Sequence, residues 1–559
     1  MLDHIKKEIE VLLKKAGVKG EINLVTPPNS EMGDLALGCF DLGKNPKKTA
    51  EEIVKKLEGK KLGLVEKVEA LGPYVNFTLK TPELSKLVLN GDLSGESNLG
   101  KGKKVLIEYP SQNTHKEIHI GHLRNVCIGN ALVQLFRKTG HKMTPMNYVN
   151  DFGAHVVKVL WYVEKFDKKP EDSKQKWLGE IYAEASKYIK DHPEVKDELV
   201  EFQKKFEAKD KGIWKLFEKT KKWSTDGFKK ILDELDVEHD SIIYESEVKE
   251  RGQEIVDELL KKKIAKVGEG GAIIIDLEKE GLDIALLRKS SGAGLYMTSD
   301  LALAEKKFKK YKVDESINIT GTEQNFYFKQ LFKVLEMNGF ENKMTHIGYG
   351  LVNLPSGKMS SRAGNVILYE DLRDEIYDHM KKETAGRHED WSDKKIEKTV
   401  HALTMAILKF TMQKTEANKN ITFDFKEAVS FEGYSAPYIL YVVARINSLA
   451  KKSALKQVQG KAKDSNLELL TTPEEKKLLM MMAEFSEVVE KAWKLYNPAV
   501  ITRYSFDLAK AFNDFYNKHS ILSAESRELV QARLFLSGKL KDVLETALNL
   551  LTIKTIKEM

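Results

Sequence analysis

A run of apolar residues, VLIEY at 105–109, leads into the polar stretch PSQNTHKE and then into a helix expected over 122–138. No other feature limits the fold of this chain as much. Leu123, Val126, Cys127, Leu132, Leu135 and Phe136 give the expected helix an apolar side, and Gly140 is a suitable stop. A second strand is expected over Lys142–Val149. Strand, helix and strand in this order begin a parallel α/β sheet, whose ligands bind at the carboxyl edge of the strands. Two histidines, His119 and His122, stand at that edge, three apart around Gly121. Glycine there is expected to let a ligand approach the backbone closely. Imidazole N–H groups, free backbone N–H groups and the positive end of the helix together suit a triphosphate. The same three residues alone would equally describe a helix cap with two surface histidines. Their place between strand and helix favours the phosphate site.

A second piece lies more than two hundred residues later, in GLVNLPSGKMSSRAGNVI. Lys358, Met359, Ser360, Ser361 and Arg362 are flanked there by Gly357 and Gly364. A basic loop hinged on glycines can close over phosphates and neutralise charge on a leaving pyrophosphate.

At 559 residues the chain exceeds what one hydrophobic core usually supports, so three or four domains are expected. Residues 1–90 read as a small α+β domain with an opening helix, a second helix (KTAEEIVKKLEG) and a strand (YVNFTLK); NGDLSGESNLGKGKK follows as a linker. The α/β part is expected over 100–375, with strands again at 272–277 and 317–320, each followed by a helix. A helical insertion is expected at about 155–240. Between Lys204 and Lys222 it carries eight lysines against three acidic residues, a run read as a solvated face in preference to a nucleic-acid contact. Residues 376–559 read as a separate all-helical domain. The net charge of +7 is only a mild bias toward an anionic partner. Cys39 and Cys127 are the only cysteines, too few for a four-cysteine zinc site or a disulfide framework, which points to a reducing compartment. The opening residues are not of secretory type and no apolar run reaches the eighteen or so residues of a membrane span, so a cytoplasmic protein without membrane contact is expected.

The ordered pair HIGH-like and KMSKS-like segments resembles the signatures of class I aminoacyl-tRNA synthetases. The surrounding blocks resemble the arginyl-tRNA synthetase family in particular. These are Glu108-Tyr109-Pro110-Ser111-Gln112-Asn113 with Lys116, then Asn147-Tyr148-Val149-Asn150-Asp151-Phe152-Gly153. Tyr296-Met297-Thr298-Ser299-Asp300 and Glu323-Gln324-Asn325-Phe326-Tyr327-Phe328 follow. The later segments PYILYVVARINSLAKK and PAVITRYSFDLAKAFNDFYNKHSIL resemble the family's helical anticodon-binding domain. The chain departs from the pattern at Asn150 for glycine, Tyr327 for histidine, and Leu440 and Val443 for glutamine and histidine.

The resemblance implies a multidomain α/β protein. Its parts would be a Rossmann-like catalytic domain with an insertion, a small α+β N-terminal domain that contacts tRNA, and an all-α C-terminal anticodon-binding domain. It implies ATP-dependent activation of L-arginine and transfer to the terminal adenosine of tRNA(Arg) by a monomer, with Mg2+ accompanying ATP and no protein metal site. Lys116, His119, His122 and Lys358 would be catalytic. His119, Gly121, His122, Lys358, Met359 and Ser360 would contact ATP. Arginine would be held by Glu108, Asn113, His122, Glu245, Tyr296, Asp300 and Gln324, with Asp300 and Tyr296 at the guanidinium, Glu245 a second acidic ligand there, and Glu108, Asn113 and Gln324 at the backbone end. Lys116 would supply the cation that the usual second lysine of KMSKS provides, since Ser361 stands at that position. The nearest rival is another class I enzyme, for glutamate or of the class I lysine type; a glutamate enzyme would need a cationic pocket. A small nucleotidyltransferase would not need the long helical C-terminal half.

Overall fold

The computed structural model describes residues 1–559 except 171–172, 355–356, 359–366 and 456–463, and except the side chains at 30, 354, 357–358 and 454–455. The chain divides into two compact units. One is formed by Asn98–Val429 with Tyr496–Ala499, the other by Met1–Ser97, Ser430–Leu495 and Val500–Met559.

The first unit is built on five parallel strands: β1 (Lys104–Glu108), β2 (Lys142–Val149), β3 (Ser241–Tyr244), β4 (Glu315–Gly321) and β5 (Lys343–Tyr349). Their order across the sheet is β5-β4-β1-β2-β3. The order reverses at β1, so the crevice of such a sheet opens beyond the carboxyl ends of β1 and β4. Helix α1 (Ile120–Lys138) follows β1 directly. It was expected to have one apolar side, but it is buried on most of its circumference, because helix Asp393–Gln413 packs on it as well as the sheet. On the other face Leu106, Met146 and Ile243 of the strands meet Leu259, Leu301, Leu331 and Val334 in one apolar cluster. These come from α6 (Lys249–Lys261), α7 (Tyr296–Tyr311) and α8 (Asn325–Met337).

Between β2 and β3 the insertion is helical as expected: α2 (Ala154–Lys165), α3 (Lys174–Asp191), α4 (Lys196–Glu207) and α5 (Lys211–Glu234). It has its own core of Trp161, Leu178, Phe206 and Phe217. The strand expected at 272–277 is real, as Ile273–Asp276, but only a single 3-10 turn, Glu278–Glu280, and then another strand follow it. It is the middle strand of a small antiparallel sheet outside the parallel one. Strands Ser241–Tyr244 and Lys343–Tyr349 were not anticipated.

The expected boundary at 375 is corrected to about 429. Helices α9 (Tyr369–Arg387) and α10 (Asp393–Gln413) belong with the parallel sheet, since α10 buries an apolar face against α1. In the second unit, residues 1–90 and the C-terminal helices pack together as one compact unit. The N-terminal part is a four-stranded antiparallel sheet with helices Leu2–Lys15, Pro46–Leu57 and Thr81–Asn90. It is tied to the C-terminal helices by Asp34 with Lys476 (2.7 Å), Lys6 with Glu487 (2.7 Å) and the Ser85 hydroxyl donating to the Leu467 carbonyl (2.7 Å).

Candidate active site

The loop from β1 to α1 is pinned on three sides. Asn113 pairs with Asn150 beyond the end of β2, where the Thr114 N–H donates to the Asn150 carbonyl at 2.9 Å. His115 adopts a left-handed backbone (φ 59°) and is fully buried against the insertion. Its N–H donates to Ser224 Oγ at 2.9 Å, and its ring nitrogens meet Thr114 Oγ1 at 2.9 Å and Thr220 Oγ1 at 2.8 Å. Third, the segment after the second signature braces the helix start: Ile120 N–H donates to the Ile367 carbonyl and Tyr369 N–H to the Ile118 carbonyl.

That bracing sets both histidines of the first signature. His119 caps α1, and its Nδ1 accepts the Gly121 N–H at 3.1 Å. His122 Nδ1 accepts the His119 N–H at 3.3 Å, and the two rings lie 3.8 Å apart. An Nδ1 that accepts leaves the ring hydrogen on Nε2, so each imidazole offers one neutral donor there. Burial, reinforced by Lys116, lowers the His119 pKa to about 4 and holds His122 well below its ordinary value. The pair therefore stays uncharged at neutral pH. Gly121 was expected to admit a ligand; instead a Cβ there would meet the His119 ring at 2.9 Å. The glycine makes room for the histidine cap.

Lys116 stands 4.8 Å over the Tyr182 ring of α3 and is half-buried, and among the described residues it has no carboxylate partner. Burial, and after it the Lys116 charge, depresses the pKa of His155. A cation with no carboxylate partner among the described residues therefore sits beside the two neutral histidines.

The acidic part of the site lies beyond β3 and at the start of α7. Glu245 is 7% exposed; its Oε1 accepts the Ser299 hydroxyl at 3.3 Å and its Oε2 is buried without a hydrogen-bond partner. Asp300, one residue after Ser299, accepts the Tyr327 hydroxyl. Burial, with Asp300 nearby, pushes Glu245 up to about 8, and burial pushes Asp300 up to about 7. Tyr148 has a buried hydroxyl with no partner and feels both carboxylates. Tyr296 opens α7 four residues before Asp300 and is 66% exposed. The site thus gathers two acidic acceptors, buried Glu245 and half-buried Asp300, neither of which is ion-paired to a lysine or arginine among the described residues. A multi-donor cation such as a guanidinium fits that deficit, and a carboxylate ligand does not.

Glu108 is placed differently from expectation. It is 4% exposed and forms an ion pair with Lys307, itself 1% exposed, while its Oε1 accepts Ser111 Oγ at 3.3 Å. Its charge is already neutralised inside the protein, so it is not a free partner for an ammonium group. Asn113 lies in the pinned loop and Gln324 is exposed just past the end of β4. Lys358 lies on the two-residue strand Gly357–Lys358; its side chain, with Met359 and Ser360, falls outside the described residues.

Sequence reasoning missed several groups. Tyr327 was noted only as a departure, and Lys307 and His115 not at all. Lys221 lies in the lysine run read as solvated, yet it is 17% exposed and pairs at 2.6 Å with fully buried Asp151. Asp151 stood in a quoted block, which is the one signal that could have marked it. Among the described residues no group of three or more His, Cys, Asp or Glu side chains is arranged to hold a metal ion, and no helix is long and apolar enough to cross a membrane.

Comparison with known proteins adds three family matches. Residues 83–425 match the class I tRNA synthetase (R) catalytic domain, 439–559 the DALR anticodon binding domain, and 3–79 the arginyl tRNA synthetase N-terminal domain. An arginine–tRNA ligase of Bdellovibrio bacteriovorus is 33% identical over 551 residues, covering 96% of this chain and 94% of that protein. One from Clostridium acetobutylicum is 34% identical, covering 95% of each. The structure of Thermus thermophilus arginyl-tRNA synthetase superposes with a TM-score of 0.83 over all of both chains at 23% identity, a likeness of fold.

Proposed function

The chain belongs to the arginyl-tRNA synthetase family of class I enzymes and is an arginine–tRNA ligase with ATP as a substrate, and from this premise we propose how its own residues divide the work. Arginine is selected by Glu245 and Asp300, with Tyr296 at the open side of the pocket. The observation that carries this is a pair of carboxylates, Glu245 buried with an unpartnered oxygen and Asp300 half-buried, neither ion-paired among the described residues. The side chain of a glutamate substrate would find nothing there to pair with.

In the first step the arginine carboxylate attacks the ATP α-phosphate in line, and pyrophosphate leaves. No protein nucleophile is needed; the site positions the reactants and stabilises charge. His119 and His122 donate neutral Nε2–H bonds to the phosphates at the N-terminus of α1. His122 also lies near the amino acid. Gly121 keeps the His119 cap in place. Lys116 supplies the fixed positive charge from the β1–α1 loop, and Lys358, Met359 and Ser360 are assigned to the phosphates from the second signature. Asn113 and Gln324, at the carboxyl edges of the strands, are assigned to the amino acid's backbone end; Glu108 is withdrawn from that role. Mg2+ enters as the counter-ion that ATP brings, and no step is assigned to a protein-held metal. In the second step the 2′-hydroxyl of the terminal adenosine of tRNA(Arg) takes the arginyl group and AMP leaves. The C-terminal helices from about 430 are assigned to the anticodon. The enzyme is taken to act as a cytoplasmic monomer that activates arginine only when tRNA is bound.

The test is Asp300→Ala. Loss of the counter-charge in a site built on polar pairing is expected to lower arginine kcat/KM by about 10⁴-fold. A folded variant losing less than tenfold would overturn the assignment.

A further inference from the structure

Glu245 leaves β3 on a single turn, Glu245–Glu247, and a carboxylate on so short a turn needs something to fix its direction. Both of its neighbours in the chain are held from outside the turn. Ser246 is held by Asp151, which lies two residues beyond the end of β2 and is fully buried. Asp151 Oδ1 accepts the Ser246 N–H at 2.9 Å, and Oδ2 accepts the Ser246 hydroxyl at 2.7 Å. Tyr244, on the other side, lies under the Lys221 ammonium at 3.9 Å, and that same ammonium pairs with Asp151 Oδ2 at 2.6 Å. Lys221 belongs to α5, so the helical insertion, the end of β2 and the turn meet at one ion pair.

We propose that Asp151 is a positioning residue for amino-acid selection: it fixes the turn that aims Glu245 at the guanidinium and, through Lys221, makes that aim depend on the insertion. The inference rests on the assignment of Glu245 to arginine given above. Its physical basis is the cost of the arrangement. A buried ion pair is often no more stabilising than apolar packing of the same size, and its clearest use is to enforce one geometry. Here Asp151 accepts both Ser246 bonds, and Lys221, besides its contact with the Phe217 ring, lies over Tyr244, so the pair bears on both residues adjacent to Glu245. Ser299, immediately before Asp300, then receives Glu245 from the other wall. The two pocket carboxylates are thereby brought to a fixed separation, as bidentate recognition of a planar cation requires.

The experiment is a double-mutant cycle on the full chain, with tRNA present, reading KM for arginine, KM for ATP and kcat in pyrophosphate exchange. Asp151→Ala is expected to raise arginine KM by about 10–100-fold, the loss typical of hydrogen bonds to a charged group. ATP KM should move by less than about twofold. Ser246→Ala removes one of the bonds and leaves the ion pair, so it tests the same link if Asp151→Ala does not fold; about 3–10-fold in arginine KM is expected. In a Glu245→Gln background either substitution should add almost nothing, because their effect runs through Glu245. Lys221→Arg should retain arginine KM and Lys221→Met should not. The inference is overturned if the Asp151 and Glu245 effects simply multiply, or if arginine and ATP KM rise together, which is what a general structural role would produce. If Glu245→Gln alone leaves arginine KM unchanged, the assignment of Glu245 falls and the inference with it; if Glu245→Gln raises it but Ser246→Ala and Asp151→Ala do not, the inference alone falls.

Discussion

Burial makes Glu245, with Asp300 nearby, and Asp300, with Glu108 nearby, each hold its proton more tightly than an ordinary carboxyl group. Glu245 is pushed up to about 8 and Asp300 to about 7. A guanidinium pairs with the anions, so below these values binding must release protons. The sign follows: arginine affinity rises with pH, because the empty site is protonated at low pH and the filled site is not. Arginine KM is expected to fall by roughly tenfold or more between pH 6 and pH 8 and then to level off, with the two carboxyls titrating as a pair. His119 does not disturb this window, since its pKa lies near 4. Arginine KM measured across that range, with calorimetric proton release, checks it; a flat profile would contradict the protonated pocket. Tyr327 bonds to Asp300 and keeps one carboxylate oxygen engaged. Tyr327→Phe is expected to raise arginine KM by about tenfold and leave ATP KM unchanged. Lys116, which has no carboxylate partner among the described residues, belongs to the other half of the site. Lys116→Ala should slow arginine activation by about 10²–10³ in kcat with little change in arginine KM. Single-turnover activation at wild-type rate would remove Lys116 from the chemistry.

Helix α1 organises the catalytic unit at the next scale. Arg124, two residues after His122, is completely buried and, among the described residues, has no carboxylate partner. Its guanidinium donates instead to the carbonyls of Gly350 (2.5 Å) and Leu351 (3.4 Å), and to those of Glu416 (3.2 Å) and Lys419 (2.7 Å). One side chain thus joins the first signature helix to the chain leading into the second and to the segment after α10. Arg124→Met would strand several buried carbonyls at once, each costing about 1–3 kcal/mol. Thermal unfolding is expected several degrees below wild type, with reduced kcat; an unchanged Tm would show that the carbonyls find other donors. Arg124 also shows where sequence was informative and where it was not. The strand–helix–strand unit and the histidine pair were legible because periodicity and a capped helix start are local properties. The donors to Gly350 and Lys419 were not, because they join residues more than two hundred positions apart. The same limit hid the Lys221–Asp151 pair inside a lysine run and the Lys307 partner of Glu108. It also hid the place of α9 and α10, whose helical pattern alone does not say which core they cover.

At the scale of the whole chain, the division is into two bodies whose borders do not follow the order of the sequence. Residues 1–90 were legible as a folded α+β segment, but its partner was not, since nothing local in it names the helices after 430. The join includes an ion pair that is difficult to replace. Asp34 is 11% exposed at its side chain, accepts the Leu79 N–H at 2.7 Å, and has Lys476 at 2.7 Å. Removing Lys476 leaves a largely buried carboxylate with only a backbone donor, and breaking such a pair from one side typically costs about 3 kcal/mol. The cost falls on the N- and C-terminal unit and not on the parallel-sheet unit, because neither residue lies in the latter. If the two bodies unfold as separate cooperative units, calorimetry of the full chain should resolve two transitions. Lys476→Met is then expected to lower one of them by several degrees and leave the other in place, and deletion of residues 1–97 should abolish or strongly lower that same transition. Arginine activation chemistry resides in the unmoved unit, so a drop in tRNA affinity without a matching change in ATP KM should accompany the shift. The affinity that survives should keep a steep salt dependence, as phosphate contacts require. A single transition that moves as a whole would mean that the chain unfolds as one body and that the ion pair stabilises all of it.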